Sequence, residues 1–263
     1  MKLSYNSAPE LVFRWLDGSA EFSDEQAVRV RADIERLHQW HRSEELPRYA
    51  ALLEGAARQA PSDLTPDAAC AIFDEVRERL DALFVRAEPA IAAIAVDFSP
   101  AQFSALERKF AKVNAKYRKE WLDSAPGQVA DKRLERAARR AERLYGHLEE
   151  PQLTVLREQL AEANFDAERS FAQMQQRQRD TIVTLERLSA SDAPAAELRA
   201  AVHAWAGRMQ RSSDPRYRAR QDETARQTCV NVAGLHNSTT PAQRAHAAER
   251  LLGYAQDLRE LAD

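Results

Sequence analysis

The sequence predicts an all-α protein, an irregular multi-helix bundle of about nine helices, many of them started by Ser/Thr/Asp-Pro caps. Three observations predict it. Glycine is scarce, at 7 of 263 residues, while alanine reaches 48. Alanine is the best helix former, whereas βαβ nucleotide folds and β-sandwiches need glycine at their turns. Proline stands where helices begin, in Thr65-Pro66, Ser99-Pro100, Glu150-Pro151, Ala193-Pro194, Asp214-Pro215 and Thr240-Pro241. The first helical N–H has no partner within the helix, so proline loses nothing there. Apolar residues recur at three- and four-residue spacing, and no alternating pattern longer than four residues reads as a strand. With 44% hydrophobic and 30% charged residues the chain can bury a core, and its composition is that of a folded chain and not of a disordered one.

Eleven stretches read as helical, nine of them without the short first and seventh: 8–16, 24–42, 44–60, 66–96, 100–123, 128–148, 151–163, 167–190, 194–211, 215–236 and 241–261. Ser23-Asp24-Glu25-Gln26, Ser99-Pro100-Ala101-Gln102 and Thr240-Pro241-Ala242-Gln243 are capping boxes, in which the glutamine reaches back to the cap N–H. Phe73, Val76, Leu80, Leu83, Ala87, Ile91 and Ile94 form one apolar stripe. Leu134, Ala138, Ala141, Tyr145 and Leu148 form a seam suited to near-antiparallel packing. Pro47 predicts a kink or break between residues 43 and 47. No low-complexity linker divides the chain, so residues 1–263 read as a single elongated helical domain with a hinge candidate at 124–127. The proline-started segments differ too much in length for a fixed-period solenoid.

The net charge of −3 carries no global sign of nucleic-acid binding, but it is unevenly spread. Residues 104–147 carry 12 basic and 6 acidic side chains, between acidic neighbours. Arg108, Lys112, Lys116, Lys119, Arg136 and Arg140 mark a basic face that would suit an anionic envelope component or an acidic partner, and less well nucleic acid. No apolar run approaches the 18 residues of a membrane span. The N-terminus lacks the regions of a signal peptide, which leaves either a cytoplasmic protein or one whose export signal has been removed. Cys70 and Cys229 each lie on an apolar stripe, and two readings stand: buried free thiols, or one disulfide in an oxidising compartment.

The familiar catalytic signatures are absent: no P-loop, GxGxxG, GxSxG or HExxH, and no cysteine pairs for a structural zinc site. Neither a cofactor nor a metal is implied. Glu35 and His38 form a single ExxH, where di-iron bundles need two. Trp40, His41, Arg42 and Tyr49 crowd polar and aromatic groups around the Pro47 bend, either as an anchor locking it or as a groove for a ligand or partner. Asn114, Tyr117 and Trp121 are further binding candidates. His236 and Asn237 open a polar turn whose side chains can cap helix ends, with a hydrolytic site near His41 and His236 as the alternative.

Several stretches carry a resemblance across nearly the whole chain. They are Tyr5-Asn6-Ser7-Ala8-Pro9 with Trp15-Leu16-Asp17-Gly18, Trp40-His41-Arg42 with Leu46-Pro47-Arg48-Tyr49, Arg108-Lys109-Phe110-Ala111-Lys112-Val113-Asn114, Tyr145-Gly146, and His236-Asn237-Ser238-Thr239-Thr240-Pro241-Ala242-Gln243-Arg244. Together they resemble a proteobacterial family of uncharacterised lipoproteins, known as a domain of unknown function. The resemblance implies a signal peptide ending at a lipidated cysteine before the Tyr-Asn segment, where Met1-Lys2-Leu3 stands here without a lipobox. It also implies a Cys70–Cys229 disulfide. A second likeness is local: Phe98-Ser99-Pro100-Ala101-Gln102 is similar to the LTxxQ motif of periplasmic helical stress chaperones, although a capping box accounts for the same residues. The resulting expectation is the periplasmic body of a lipoprotein that is lipid-anchored to a bacterial membrane and binds an envelope protein or client without catalysis. The alternatives are the hydrolytic site and an anionic-polymer binder using the 104–147 face.

Overall fold

Capping boxes organise this molecule, and their glutamines do more than close single helices. A computed structural model describes residues 5–163, 165–212 and 214–263. Among them lie eleven α-helices: α1 (Ala8–Ala20), α2 (Asp24–Trp40), α3 (Leu46–Gln59), α4 (Pro66–Ala95), α5 (Pro100–Tyr117), α6 (Pro126–Tyr145), α7 (Glu150–Glu162), α8 (Ala167–Ser189), α9 (Ala195–Gln210), α10 (Pro215–Asn237) and α11 (Pro241–Ala262). No strand occurs among the described residues, so the all-α expectation holds. Two π-helical turns, His41–Glu45 and Arg118–Leu122, interrupt the α pattern.

The first π-turn is the structure's answer to Pro47. The chain stays helical from Asp24 to Gln59, and Pro47 falls at the start of α3 instead of breaking it. A proline N–H is missing and its ring clashes with the carbonyl four residues back. The wider π-turn changes the register just before Pro47, so the ring is accommodated without a break.

The chain divides into two compact units. The first holds residues 1–41, 80–123 and 167–213, and the second holds 42–79, 124–166 and 214–263. One boundary lies at 123/124, beside the Ser124–Gly127 segment.

In the first unit α1 packs on α2 and α5, while α8 packs on α5 and α9. Ala92, Ala95, Leu188 and Val202 form a core cluster, flanked by Ile91, Leu185, Leu198 and Trp205. Gln26 and Gln102, the third residues of α2 and α5, are buried and bond each other: Gln102 Nε2 donates to Gln26 Oε1 at 2.8 Å. Gln26 Nε2 also donates to the Asp97 carbonyl at 2.9 Å, while each Oε1 accepts its own cap N–H at 3.0 Å.

The second unit repeats the device. There α11 packs on α3 and α6, and α7 packs on α6 and α10. The Leu134–Leu148 seam joins Leu156, Leu235 and Ala247 in its core. Gln152, at the start of α7, donates to the Ser238 carbonyl before α11 at 3.0 Å. Gln243, at the start of α11, donates to the His147 carbonyl before α7 at 2.8 Å. Each helix start thereby satisfies a carbonyl of the turn that leads into the other, which answers the accounting that buried backbone groups demand.

Cys70 and Cys229 form a disulfide with Cα atoms 5.2 Å apart, tying α4 to α10 within the second unit. The α4 stripe departs from expectation. Ile91 packs into the first core, but Phe73 and Leu80 are exposed, as are Phe84 and Val85. The periodicity marks an apolar face; whether another helix covers it is a tertiary matter.

Candidate functional site

Around the first π-turn, each unit holds its own set of side chains. In the first unit, the Tyr5 hydroxyl shares a 2.9 Å hydrogen bond with His41 Nδ1, and His38 Nε2–H donates to the Tyr5 carbonyl at 3.2 Å. The Tyr5 ring lies 4.6 Å from that of His38. Spacing of three residues puts both histidines on one helix face, where they clasp the N-terminal segment. The Arg86 guanidinium lies 5.8 Å from the Trp40 ring. Glu35, the acidic member of the ExxH, accepts from Gln39 instead of approaching a metal site.

In the second unit the π-turn delivers Glu45 into a fully buried position, 0% exposed. Arg48 donates to its Oε1 at 3.1 Å, and its Oε2 receives no hydrogen bond among the described residues. Burial pushes the neighbouring Tyr49 hydroxyl above its ordinary pKa, the Glu45 charge adds to the rise, and Arg79 opposes it. Arg42 opens this unit and Tyr49 lies one turn beyond the π-turn. The aromatic and polar density around Pro47 therefore includes a carboxylate, Glu45, that the spacing groups with Glu35, His38 and His41 but does not mark as buried, because glutamate is almost never fully buried without a partner.

Asn114, Tyr117 and Trp121 belong to the packing of α5 on α8. Asn114 and Gln178 exchange two amide hydrogen bonds of 2.9 Å. Tyr117 stacks on Phe171 at 5.5 Å and donates to the Ala167 carbonyl at 3.1 Å. Trp121, on the second π-turn, stands 6.4 Å from Tyr117.

His236 and Asn237 knit the second unit together. His236 is buried. Its Nε2–H donates to the Ser62 carbonyl at 2.9 Å, and Nδ1 meets the Tyr145 hydroxyl at 3.0 Å. A carbonyl can only accept, which fixes Nε2 as the protonated nitrogen and leaves Nδ1 to accept from Tyr145. Burial pushes the Tyr145 hydroxyl up to about 12. The Asn237 amide pairs with Leu64 like a strand partner, accepting its N–H at 2.8 Å and donating to its carbonyl at 3.0 Å. Arg244 adds a 2.7 Å ion pair to Asp63. Ser238 and Thr239 spend their hydroxyls on the Leu235 and His236 carbonyls. The His236–Arg244 stretch is thus a staple over residues 62–64 and 147, and both His236 nitrogens are engaged.

The basic residues fall in both units. Arg108, Lys112, Lys116 and Lys119 belong to the first, and Arg136 and Arg140 to the second. Arg108 donates to both Glu21 oxygens, at 3.0 and 3.2 Å, while Lys112, Lys116 and Lys119 stand exposed. Among the described residues no group of three or more His, Cys, Asp or Glu converges to hold a metal, and no helix is long and apolar enough to cross a membrane.

A family model covers residues 20–206, about 70% of the chain. The chain belongs to a family of unknown function (DUF6279). The match to this family includes Trp40, the π-turns and Cys70, and ends before Cys229 and the His236–Arg244 staple. No curated protein and no solved structure matches the chain.

Proposed function

We propose that this chain is the periplasmic body of a lipoprotein, held to a bacterial membrane by an N-terminal lipid, and that it works by binding an envelope partner or client protein. The observation that carries the compartment is the Cys70–Cys229 disulfide. Such bonds persist in the periplasm and on cell surfaces, and are kept reduced in most cytosols. The anchor comes from the sequence resemblance alone. Binding is supported by apolar side chains that the first unit leaves in solvent. Leu11, Val12 and Trp15 face outward on α1, with Trp15 66% exposed, and Leu80, Phe84 and Val85 do so on α4. Large aromatic groups in water are characteristic anchors of protein interfaces.

The hydrolytic alternative draws no support from His236, whose ring is engaged on both nitrogens, or from Ser238, whose hydroxyl is spent on a carbonyl. Cross-linking in intact cells, with Trp15→Ser and Phe84→Ser beside the parent chain, tests the binding reading. A discrete cross-linked protein that disappears in either variant supports it. Identical profiles in all three chains refute it. Mass spectrometry without reductant tests the compartment: protein recovered from cells should be two hydrogens lighter than its reduced form.

A further inference from the structure

We propose that Arg140, Arg143 and Arg250, with Tyr254 beside them, form a binding site for a phosphate-type oxyanion within the second unit. The site follows from how α11 lies on α6. Arg140 and Arg143 are three residues apart in the last turns of α6, and Arg250 and Tyr254 are four apart on α11, so each pair shares a helix face. Arg143 Nε donates to the Arg139 carbonyl at 3.2 Å, and Arg250 Nε reaches the Arg143 carbonyl at 3.4 Å. Both guanidiniums are held by their inner nitrogen and keep their outer N–H edge for another acceptor. Arg250 is steadied again by the Tyr254 ring, 5.2 Å away.

Arg140, Arg143, Leu144 and Tyr254 line an open depression of about 390 Å³. Several other arginines take carboxylates: Arg29 with Asp97, Arg139 with Glu135, Arg157 with Glu150, Arg208 with Asp180 and Arg259 with Glu54. Among the described residues no carboxylate lies within ion-pair distance of these three. Grouped like charges repel, and an oxyanion that accepts from two or three guanidinium edges removes the repulsion. Arginine's planar fork matches phosphate oxygens, and Leu144 and Tyr254 offer an apolar flank to the group that carries them. The phosphate can belong to a lipid headgroup or to a soluble ester, since the same edges serve both. This site is independent of the proposed partner binding, which uses the first unit.

Calorimetric titration with inorganic pyrophosphate, and sedimentation with vesicles of phosphatidylglycerol or phosphatidylcholine, test the site. Binding should be saturable and weaken with salt. Arg143→Gln and Arg250→Gln should each weaken it about tenfold, the loss of one charge-assisted contact. Arg157→Gln removes the same charge from a distant ion pair and should leave affinity within about twofold. All three side chains are exposed, and Arg140→Gln serves where either of the other variants fails to fold. Sedimentation with phosphatidylglycerol alone, lost in Arg143→Gln, assigns the phosphate to a headgroup. Pyrophosphate binding without vesicle binding assigns it to a soluble ester. No saturable binding to either probe, or an equal loss in Arg157→Gln, overturns the site.

Discussion

Replacing Gln152 by alanine tests the cross-bonded cap as the organising device of the second unit. Gln152 is 2% exposed, accepts the Glu149 N–H at 2.7 Å and donates to the Ser238 carbonyl at 3.0 Å. Each hydrogen bond contributes about 1 kcal/mol net, and both backbone partners would be left in a partly buried turn. Truncating a buried side chain adds about 1 kcal/mol for the space it vacates. The sum is about 3 kcal/mol. With a urea slope of about 2.5 kcal/mol/M, the unfolding midpoint should fall by about 1 M in far-UV circular dichroism. Gln128 is the internal control. It occupies the same third helical position in α6, but is exposed and accepts only the Ala125 N–H, at 3.3 Å. Gln128→Ala should cost about 0.5 kcal/mol, the lower end for a cap. Equal costs at both positions would refute the reasoning, because capping alone would then account for Gln152.

Other perturbations address other contacts. Cys70→Ser should lower the melting temperature in oxidant and change little in reductant; the closed loop of 159 residues sets an upper figure of roughly 5 kcal/mol. An equal loss in both conditions would mean that packing, not the bond, is what matters. Tyr145 remains protonated in the folded chain until about pH 12, whereas it ionises near 10 when unfolded. Its contribution is complete below pH 10 and is lost as pH rises from 10 to 12, so chemical denaturation across that window should show a falling stability that Tyr145→Phe flattens. Glu45→Gln removes the negative charge that helps raise Tyr49, so the Tyr49 hydroxyl should titrate at lower pH in NMR spectra. An unchanged titration would place Glu45 outside electrostatic reach.

Fold class, helix positions and caps were legible in the sequence because each depends on neighbours a few residues away. A serine, threonine or acidic residue before proline satisfies a free N–H at the same helix end wherever that helix later packs. The Leu134–Leu148 seam was legible for the same reason. Partnership was not. Gln102 reads as the third residue of a capping box, and nothing near it announces Gln26 as its partner. His236 and Asn237 carried the polar composition of a site, yet Ser62 and Leu64, some 170 positions earlier, take up that capacity. Periodicity marked Phe73 and Leu80 as apolar without saying that they stay exposed.

The sequence by itself determined where this chain is helical and which faces are apolar, since backbone hydrogen bonds and side-chain spacing are local quantities. Tertiary structure alone decided which apolar faces are covered, that the Pro47 bend becomes a π-turn burying Glu45, and that Arg250 reaches the Arg143 carbonyl. Those outcomes depend on which distant segments exclude water from one another, and that is settled only when the whole chain has packed.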